Sequence, residues 1–334
     1  MFKALVLKKQ DEADASVSVE DLNISDLPEG DVLVKVSFST INYKDALAIT
    51  SSSPIIKNYP MVPGIDFAGE VEESNNNSFK TGDKVILNGF GVGEKYWGGL
   101  AQKARVKGEW LVKLPEKLTE KQAMAIGTAG YTAMLCVLAL EKQGVTPDKG
   151  EILVTGATGG VGITAIEISK AVGAKVIATA STDEKLKIAK EYGADYCINY
   201  SQNEFKDKVK EYTDGKGANI IYDPVGGDVF NQSLRCIAWN GIILVIGFAS
   251  GTIASAPTNL PLLKNCSIVG VFWGAWRERE PNGHNINMEK ILKWWKENKV
   301  KPKVSKVFNL EDTKYALQAL INREVIGKAV IKVR

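Results

Sequence analysis

The sequence predicts an α/β fold in which a doubly wound parallel sheet follows a β-rich domain. The clearest pattern is EILVTGATGGVGITAIEISK at residues 151–170, where a strand-like apolar run changes to helical spacing across a glycine-rich turn. Strand-like and helical segments then alternate to residue 276, which is typical of a parallel sheet covered by helices. Residues 1 to about 115 instead contain alternating strand-like runs, among them MFKALVLKK and DVLVKVSFSTINYKDALA, separated by Gly and Pro turns.

The predicted domain boundaries lie where these patterns change. Long helical spacing begins at TEKQAMAIGTAGYTAMLCVLALEKQG, near residue 120. The C-terminal stretch VSKVFNLEDTKYALQALINREVIGKAVIKVR has the pattern strand, helix, strand, and its alternating end suggests a return to the β-rich domain. We therefore expect one discontinuous domain, 1–120 with 300–334, and a second domain, 121–299.

Composition and charge indicate a soluble globular protein. The 334 residues are 45% apolar and 24% charged, and 42 Lys and Arg against 39 Asp and Glu leave a net charge of +3. No basic block calls for nucleic acid. We find no apolar run of membrane-spanning length and no signal peptide in MFKALVLKKQDEADA, so we expect a cytoplasmic protein without a membrane partner.

The metal-ligating residue types are sparse and scattered. The single histidine, His284, lies in a segment rich in Pro, Gly and Asn, and no two cysteines form a C-x-x-C pair. A structural zinc needs four clustered ligands and a catalytic zinc three. We therefore expect no metal, a surface imidazole, and buried thiols at Cys136, Cys197, Cys236 and Cys266.

The glycine-rich turn has the spacing of a dinucleotide-binding loop. Ala157, Gly159 and Gly162 occupy the slots of G-x-G-x-x-G, where small residues allow the backbone to approach a pyrophosphate. The helix expected to begin near Val161 would direct its unpaired N–H groups at that phosphate. A second apolar strand at 174–180 completes the spacing of a βαβ unit, which favours this interpretation over a purely structural turn. The predicted phosphate-binding residues are Thr158, Gly159, Gly160 and Val161.

The end of the second strand predicts NADPH rather than NADH. An NAD enzyme places a carboxylate there to hold the ribose 2′-hydroxyl, whereas this strand ends Thr179-Ala180-Ser181-Thr182. Ser181 and Thr182 can donate to a 2′-phosphate, and Lys185 can face it from the next helical turn. Asp183 and Glu184 follow closely in the sequence.

Two further polar turns follow strands and are expected at the same sheet edge. They are DPVGG at 223–227 and GFASG at 247–251, and the second contains Phe248. Because the carboxyl ends of parallel strands share one edge, a ligand lying across the sheet would meet both turns and the glycine-rich turn. The apolar run SIVGVFWGAW at 267–276 predicts a strand late in the sheet whose uncovered edge invites pairing with another chain.

Several motifs together resemble the zinc-independent branch of the medium-chain dehydrogenase/reductase superfamily. NYKDAL, MVPGIDFAGEV, GTAGYTAM and TGATGGVG carry this resemblance. Residues 1 to about 165, with the loop GFGVGEKYWGGLAQKARVKGEWLV, are similar to the YhdH/YhfP subgroup of acryloyl-CoA reductases and quinone oxidoreductases. Beyond residue 200 the sequence is more similar to the broader NADPH:quinone oxidoreductase group. The resemblance implies a GroES-like catalytic domain, a Rossmann NADPH-binding domain and a homodimer. Ile65-Asp66 stands where zinc-dependent relatives carry a His-Glu pair.

The resemblance also implies catalytic positions. Tyr43 is expected at the nicotinamide, with Asn42 and Asp45 on the same turn and Thr128 on the nicotinamide-ribose side. For Asn42 and Asp45 an equal alternative is that they only fix the turn by bonding backbone groups. The implied cofactor-binding residues further include Tyr200, near the adenine ribose, and Asn322 in the C-terminal stretch.

Other expectations concern the surroundings of the site. Tyr96 and Trp97 lie on the loop 89–99, which is either a movable lid or a fixed plug. An open apolar cleft is expected from Tyr43, Phe67, Trp97, Phe272 and Trp273. Coenzyme A would need cations, for which Lys57, Lys95, Arg277 and Arg279 are candidates beside the alternative of solvated surface.

The expected activity is NADPH-dependent reduction of the C=C bond of a short α,β-unsaturated acyl thioester such as acryloyl-CoA. The polar turn NYKD and the lid-like loop favour catalysis. NADPH:quinone oxidoreduction is the alternative enzyme activity. A different class of function, an NADPH-binding structural or RNA-binding protein, is disfavoured for RNA by the balanced charge.

Overall fold

The computed structural model describes residues 1–9, 16–49, 55, 56, 58–145, 150–202, 204–301 and 303–334. The chain forms two compact units. Unit 1 comprises Met1–Thr128 and Pro302–Arg334, and unit 2 comprises Ala129–Lys301. The chain first passes from unit 1 to unit 2 inside a long helix, Glu120–Lys142, in which Gly127 has the non-helical dihedrals φ 46° and ψ −164°.

Unit 1 is built on one mixed sheet with a separate antiparallel pair. In chain order its elements are β1 (Phe2–Lys8), β2 (Ser16–Leu22), β3 (Val32–Thr40), α1 (Tyr43–Ile49), β4 (Asp66–Ser74), β5 (Lys84–Asn88), β6 (Lys103–Val106), β7 (Val112–Lys113), the start of α2 (Glu120–Lys142), β14 (Val304–Asn309), α10 (Thr313–Ile321) and β15 (Lys328–Lys332). The sheet order is β14-β15-β3-β4-β5-β7, β6 also pairs with β3, and β1 pairs with β2.

The C-terminal stretch returns to the β-rich unit as the strand, helix, strand pattern predicts. β15 pairs antiparallel with β3, with Val330 opposite Thr40. Two further bonds fix this junction: Thr40 Oγ1 donates to the Ala329 carbonyl oxygen at 2.6 Å, and the Ile41 N–H donates to the same oxygen at 3.4 Å. The pairing places the first residues of β15 beside the end of β3, where α1 begins.

The stretch DVLVKVSFSTINYKDALA does not continue as one strand. β3 ends at Thr40 and α1 begins at Tyr43. Asp45, the third residue of the helix, accepts the backbone N–H of Asn42 on its Oδ2 at 2.8 Å, which is half of a capping box and stabilises the helix start. The expectation of a strand through Ala48 is therefore wrong.

Unit 2 is a six-stranded sheet in which every neighbouring pair is parallel, in the order β10-β9-β8-β11-β12-β13. The order reverses direction at β8, as in a doubly wound sheet, and the predicted fold class is confirmed. After α2 its elements are β8 (Glu151–Val154), α3 (Gly160–Ala171), β9 (Lys175–Ala180), α4 (Asp183–Glu191), β10 (Tyr196–Asn199), α5 (Phe205–Tyr212), β11 (Ala218–Asp223), α6 (Gly227–Cys236), β12 (Ile237–Val245), α7 (Asn259–Lys264), β13 (Ser267–Gly270), α8 (Trp273–Arg279) and α9 (Pro281–Lys296).

Two local expectations in unit 2 are wrong. The strand predicted at 267–276 ends at Gly270, because the chain turns into α8 at Trp273. His284 is not a surface loop residue: it lies on α9 and is 5% exposed. Pro281 at the first position is compatible with the helix, because its missing N–H has no partner there in any helix.

The four cysteines divide into two groups. Cys136 and Cys236 are buried, as expected, whereas Cys197 and Cys266 are half-buried. Burial raises the pKa of all four thiols. A raised pKa leaves less of the reactive thiolate near neutral pH.

Helix α2 corrects one expectation about membranes. It is long and apolar enough to cross a membrane by length and composition, but 78% of its most apolar window is buried inside the protein. The core of a folded protein supplies the apolar surroundings that such a segment requires. The expectation of no apolar run of that length is thus wrong, and the helix has the burial of a core helix.

Candidate active site

The glycine-rich turn joins β8 to α3 in unit 2. Gly156 has φ +55°, and its carbonyl oxygen accepts the Gly159 N–H at 3.0 Å. A Cβ added at Gly162 would lie 2.4 Å from that same oxygen, so only glycine permits this packing of the turn against the helix. The close packing is the reason for a small residue in the last slot of the motif.

The N-terminus of α3 fits a pyrophosphate. The residue that precedes the helix, Gly159, has no side chain to accept the first N–H groups. Gly159 is exposed, Gly160 and Val161 are half-buried, and Thr158 is buried. A 12-residue helix therefore presents uncapped donors and its positive dipole end beside accessible backbone.

The predicted 2′-phosphate residues lie together at the ends of β9 and β10. The Tyr200 N–H donates to the Ala180 carbonyl oxygen at 3.1 Å, which joins the two strand ends just before Ser181. Thr182 caps α4, since its Oγ1 accepts the Lys185 N–H at 3.3 Å. The hydroxyl group of Thr182 and the ammonium group of Lys185 are hydrogen-bond donors of the kind that a phosphate requires.

The neighbouring carboxylate has its own contacts. Asp183 lies in the first turn of α4, not at the end of the strand, and its Oδ1 accepts Asn199 Nδ2 at 2.8 Å. Ser201 closes the corner, because its Oγ donates to the Ser181 carbonyl oxygen at 2.9 Å. The end of β9 itself carries no acidic residue.

Asp223, at the end of β11, organises the turn at residues 223–227. It was not predicted as a site residue. Its Oδ1 accepts Thr155 Oγ1 at 2.9 Å and the N–H groups of Val225 and Gly226 at 2.9 and 3.1 Å. Asp223 is 1% exposed, and burial raises its pKa. This carboxyl group thus connects the turn after β8 with the turn after β11, while Phe248, after β12, is 43% exposed at the same edge.

A buried polar network lies in unit 1 around Asp66, the first residue of β4. Its Oδ2 accepts Asn42 Nδ2 at 2.8 Å and the Thr128 N–H at 3.1 Å. Its Oδ1 accepts Asn88 Nδ2 at 2.8 Å and Thr128 Oγ1 at 2.5 Å. Asp66 is 0% exposed, whereas Asn42 and Thr128 are half-buried. The carboxylate therefore holds two of the predicted catalytic residues from behind.

Lys328, the first residue of β15, completes this network. Its Nζ donates to Asn42 Oδ1 at 2.5 Å and to the Ile41 carbonyl oxygen at 3.0 Å. Lys328 is 4% exposed. Burial lowers the pKa of its ammonium group, and the nearby carboxylates of Asp66 and Asp45 oppose that change.

Asp45 has the contacts of a turn-fixing residue, one of the two interpretations offered for it. It is 1% exposed, and its two oxygens accept the backbone N–H groups of Asn42 and Ile65 at 2.8 and 3.2 Å. Burial, with a contribution from the charge of Asp66, raises the pKa of Asp45 to about 6. A fully enclosed carboxyl group of this kind positions backbone rather than contacting substrate.

Gly127 of the GTAGYTAM motif gives Asp66 the room it needs. A Cβ at Gly127 would lie 3.1 Å from Asp66 Oδ2, and φ +46° is a conformation that favours glycine. The same break in helix α2 points the following N–H, that of Thr128, at the carboxylate. Sequence reasoning missed Asp66, Asn88, Gly127 and Lys328 as site residues. Two signals were available: Asp66 belongs to the pair Ile65-Asp66, which stands where zinc-dependent relatives carry His-Glu, and Gly127 begins the motif GTAGYTAM.

The loop 89–99 is held at several points. Tyr96 packs on Trp110 with ring centroids 4.9 Å apart, Trp97 Nε1 donates to the Pro60 carbonyl oxygen at 3.0 Å, and Lys44 pairs with Glu94 at 3.0 Å. These contacts are those of a fixed wall. Whether the loop also moves as a lid stays a prediction.

Several residues expected around the cleft lie elsewhere. Phe67 is 0% exposed and packs in the core of unit 1, where the first four residues of the central strand β4 are all buried, so its expected cleft position is wrong. The side chain of Arg277 is 4% exposed, packs over Trp273 and cannot meet a coenzyme as a surface cation. Lys95 and Arg279 are exposed, and Lys57 lies outside the described residues.

The remaining predicted positions are accessible. Tyr43 is half-buried at the first position of α1. Asn322 is exposed at the end of α10, where its Nδ2 donates to Glu324 at 3.1 Å. Within the described ranges, no three His, Cys, Asp or Glu residues form a group that could hold a metal ion.

Two family models match the chain: alcohol dehydrogenase GroES-like domain over residues 28–116 and zinc-binding dehydrogenase over residues 160–286. The probable acrylyl-CoA reductase AcuI of Escherichia coli (strain K12) is 39% identical over 339 residues, covering 99% of this chain and 100% of that protein. The quinone oxidoreductase-like protein 2 homolog of Nematostella vectensis is 40% identical over 321 residues, covering 95% of this chain and 86% of that protein.

Two solved structures extend the comparison. The yhdH oxidoreductase from Salmonella enterica in complex with NADP is 37% identical, with a TM-score of 0.86 over 99% of this chain and 100% of that chain. Bacillus subtilis protein yhfP with NAD bound is 34% identical, with a TM-score of 0.84 over 99% of each chain.

The GroES-like unit and the parallel sheet with its glycine-rich turn define a dehydrogenase fold. The chain belongs to the medium-chain dehydrogenase/reductase family, within its YhdH/YhfP subgroup, as the sequence motifs predict.

Proposed function

We propose that this protein is an NADPH-dependent reductase of the C=C bond of a short α,β-unsaturated acyl thioester, of the acryloyl-CoA type. The observation that carries the proposal is the half-buried amide of Asn42, which Asp66 and Lys328 hold at two atoms beside Tyr43. Such a fixed amide is a preorganised donor for negative charge that develops on a carbonyl oxygen. The 39% identity to an acrylyl-CoA reductase supports the choice of acceptor.

The residues of unit 2 fit NADPH. Thr158, Gly159, Gly160 and Val161 would hold the pyrophosphate, because the turn is closely packed and the helix N-terminus is uncapped. Ser181, Thr182 and Lys185 would hold the 2′-phosphate. The remaining proposed contacts are Tyr43, Tyr200, Phe248 and Asn322. When bound, the nicotinamide supplies the hydride.

Cofactor choice is open to a direct test, since one similar structure binds NADP and another NAD. Lys185→Ala removes a cation from the proposed phosphate corner, so we expect the Kd for NADPH to rise about tenfold or more while the Kd for NADH changes little. Cofactor fluorescence measures both constants. An unchanged Kd for NADPH, or a wild-type preference for NADH, would contradict the assignment.

The protein's own groups can stabilise the negative charge that forms during the reduction. The second hydrogen of Asn42 Nδ2, which has no hydrogen-bond partner among the described residues, and the hydroxyl group of Tyr43 would donate to the thioester carbonyl oxygen, where conjugate reduction places negative charge. Thr128, held by Asp66, would support the nicotinamide side. The enclosed Asp45 would keep the Asn42 turn in place. Water supplies the proton for the α-carbon in this proposal.

Quinone reduction is the second candidate. It is favoured by the 40% identity to a quinone oxidoreductase-like protein and by the sequence motifs beyond residue 200. A quinone would also develop negative charge on an oxygen near the same donors. The third class, an NADPH-binding structural or RNA-binding protein, predicts cofactor binding without turnover.

A substrate panel at fixed NADPH distinguishes these functions. We expect rapid loss of NADPH absorbance with acryloyl-CoA, slower loss with crotonyl-CoA, and little with free acrylate. Turnover of quinones with acryloyl-CoA untouched would replace the proposed activity with quinone reduction. Tight NADPH binding with none of these acceptors reduced would leave only the structural function.

The assembly and location form a further part of the proposal. β13 is an edge strand, and exposed apolar side chains surround it: Leu262 on α7 is 79% exposed, Leu263 67%, and Ile268 on β13 39%. Exposed edges with apolar neighbours favour pairing with a second copy across a two-fold axis. We therefore propose a homodimer. The cytoplasmic location, the small-molecule substrate and the absence of a membrane or nucleic-acid partner are proposals that rest on the composition and charge of the sequence.

A further inference from the structure

We propose that Lys328, in the last strand of the chain, is a positioning residue that sets the direction and donor strength of the Asn42 amide. This inference rests on the proposed function, because it assigns a role in the same site. Lys328 is separated from Asn42 by 286 positions in the sequence, and only the pairing of β15 with β3 brings them together.

The chemistry of the two partners fixes the amide in one orientation. A lysine side chain here donates to two oxygen acceptors, and a carboxylate only accepts. Asn42 Oδ1 must therefore face Lys328 and Asn42 Nδ2 must face Asp66, at 2.5 and 2.8 Å. With both ends held, the second N–H of Nδ2 can point in only one direction.

The burial of the two partners favours one direction for that N–H. Asp66 and Lys328 are 0% and 4% exposed, whereas Asn42 is half-buried. Among the described residues, Asn42 Nδ2 makes one hydrogen bond, so its second hydrogen is available on the accessible side of the network. The side-chain amide can give that hydrogen to a substrate oxygen.

Lys328 also strengthens this donor. An ammonium group on the amide oxygen draws electron density away from the nitrogen, and consecutive hydrogen bonds polarise one another in this way. The backbone next to Lys328 is held in place, because the Ala329 carbonyl oxygen accepts hydrogen bonds from both Thr40 and Ile41. Loss of Lys328 would leave the amide held at one end and more weakly polarised.

The first test is Lys328→Met, with Lys332→Met as the matched control. Lys332 lies on the same strand but is exposed. We expect Lys328→Met to lower kcat by roughly 10- to 100-fold, with the Kd for NADPH unchanged, because it weakens a donor whose complete loss costs about 100- to 1,000-fold in kcat. Lys332→Met should keep the wild-type kcat. Both variants are assayed with acryloyl-CoA and with 1,4-benzoquinone.

A double-mutant cycle separates positioning from a structural role. If Lys328 acts through Asn42, then Lys328→Met in an Asn42→Ala background should change kcat by less than about twofold. Multiplicative effects of the two substitutions on kcat would overturn the inference, as would a wild-type kcat in Lys328→Met. If the wild type reduces 1,4-benzoquinone but not acryloyl-CoA, the proposed substrate is overturned instead. The double-mutant cycle can then still be measured with the quinone.

A charge-matched variant covers the case in which Lys328→Met does not fold. Asp45→Asn with Lys328→Met removes one buried carboxylate together with the lysine, so the formal charge of the cluster is unchanged. We expect this variant to show the same kcat loss relative to Asp45→Asn alone, with thermal unfolding confirming that both fold. Equal kcat values for these two variants would overturn the positioning role.

Discussion

At the scale of single residues, the site depends on groups that have no contact with solvent. Asp66 accepts four hydrogen bonds from Asn42, Asn88 and Thr128. Removing an acceptor of this kind would strand several buried donors, and each unsatisfied donor costs about 1–3 kcal/mol. The order of the half-buried donors Asn42 and Thr128 therefore depends on the enclosed carboxylate of Asp66.

Gly127 gives a direct test of this packing. Gly127→Ala forces an alanine into φ +46° and brings its Cβ to 3.1 Å from Asp66 Oδ2. We expect a loss of about 2 kcal/mol in unfolding free energy and a lower kcat, since left-handed backbone alone costs an L-residue about 1–2 kcal/mol. Gly144→Ala is the control, because Gly144 has φ +72° with open space around it. Equal losses for the two variants in urea unfolding would contradict the role of Asp66.

His284 supplies a pH dependence at the residue scale. Its Nδ1 lies 2.6 Å from Tyr131 Oη, and burial together with Arg277 lowers its pKa from 6.5 to about 4. The folded state binds this proton less readily than the unfolded state does. The stability from neutral His284 is thus complete above pH 6.5 and is lost as the pH falls toward 4.

His284→Gln tests that pH dependence, because His284 is the only histidine of the chain. We expect the unfolding free energy of the wild type to fall by up to about 3 kcal/mol more than that of the variant between pH 6.5 and 4. Urea unfolding at several pH values measures the difference. Parallel curves for the two proteins would show that the imidazole does not control acid stability.

At the scale of elements, helix α3 carries the phosphate turn at one end and a buried acid farther along. Glu167 Oε1 accepts the Lys301 N–H at 2.8 Å, and burial raises the pKa of Glu167 to about 7. An acid with a raised folded-state pKa binds its proton more tightly in the folded protein. Its ionisation therefore reduces stability as the pH rises from 4.5 through 7.

Glu167→Gln should remove this cost without losing the acceptor for Lys301. We expect equal stability for variant and wild type near pH 4, and a more stable variant at pH 8, by up to about 3 kcal/mol. Glu191→Gln, at an exposed position on α4, is the matched control. Thermal unfolding at the two pH values measures the difference in stability. A variant less stable than the wild type at pH 8 would contradict the expected direction of the effect.

At the scale of the whole molecule, the proposed homodimer depends on β13 and the apolar residues beside it. Ile268→Lys places a charge on this edge, where a paired strand would have to bury it. We expect the variant to sediment as a 36.3 kDa monomer at micromolar concentration, with the Kd for NADPH retained. A wild type that sediments only as the monomer would exclude this assembly.

Much of the fold could be predicted because its signals are local. The switch from strand to helix at 151–170 follows from hydrophobic periodicity and glycine, both of which are properties of neighbouring residues. The extent of the strand predicted at 267–276 could not be inferred in this way, because short apolar runs suit a strand or a buried helix equally. His284 was placed on the surface for a related reason: Pro, Gly and Asn indicate a loop locally, whereas tertiary burial of α9 decided otherwise.

The sequence by itself determined the dinucleotide turn, the lack of a carboxylate at the end of β9 and the family membership, because each depends on residues close together in the chain. Only the tertiary structure decided what holds the turn that contains Asn42. Asp66 and Lys328 come from separate segments that strand pairing brings to Asn42, and the helix break at Gly127 leaves room for Asp66. Their hydrogen bonds depend on distances between segments, which no spacing within the sequence encodes.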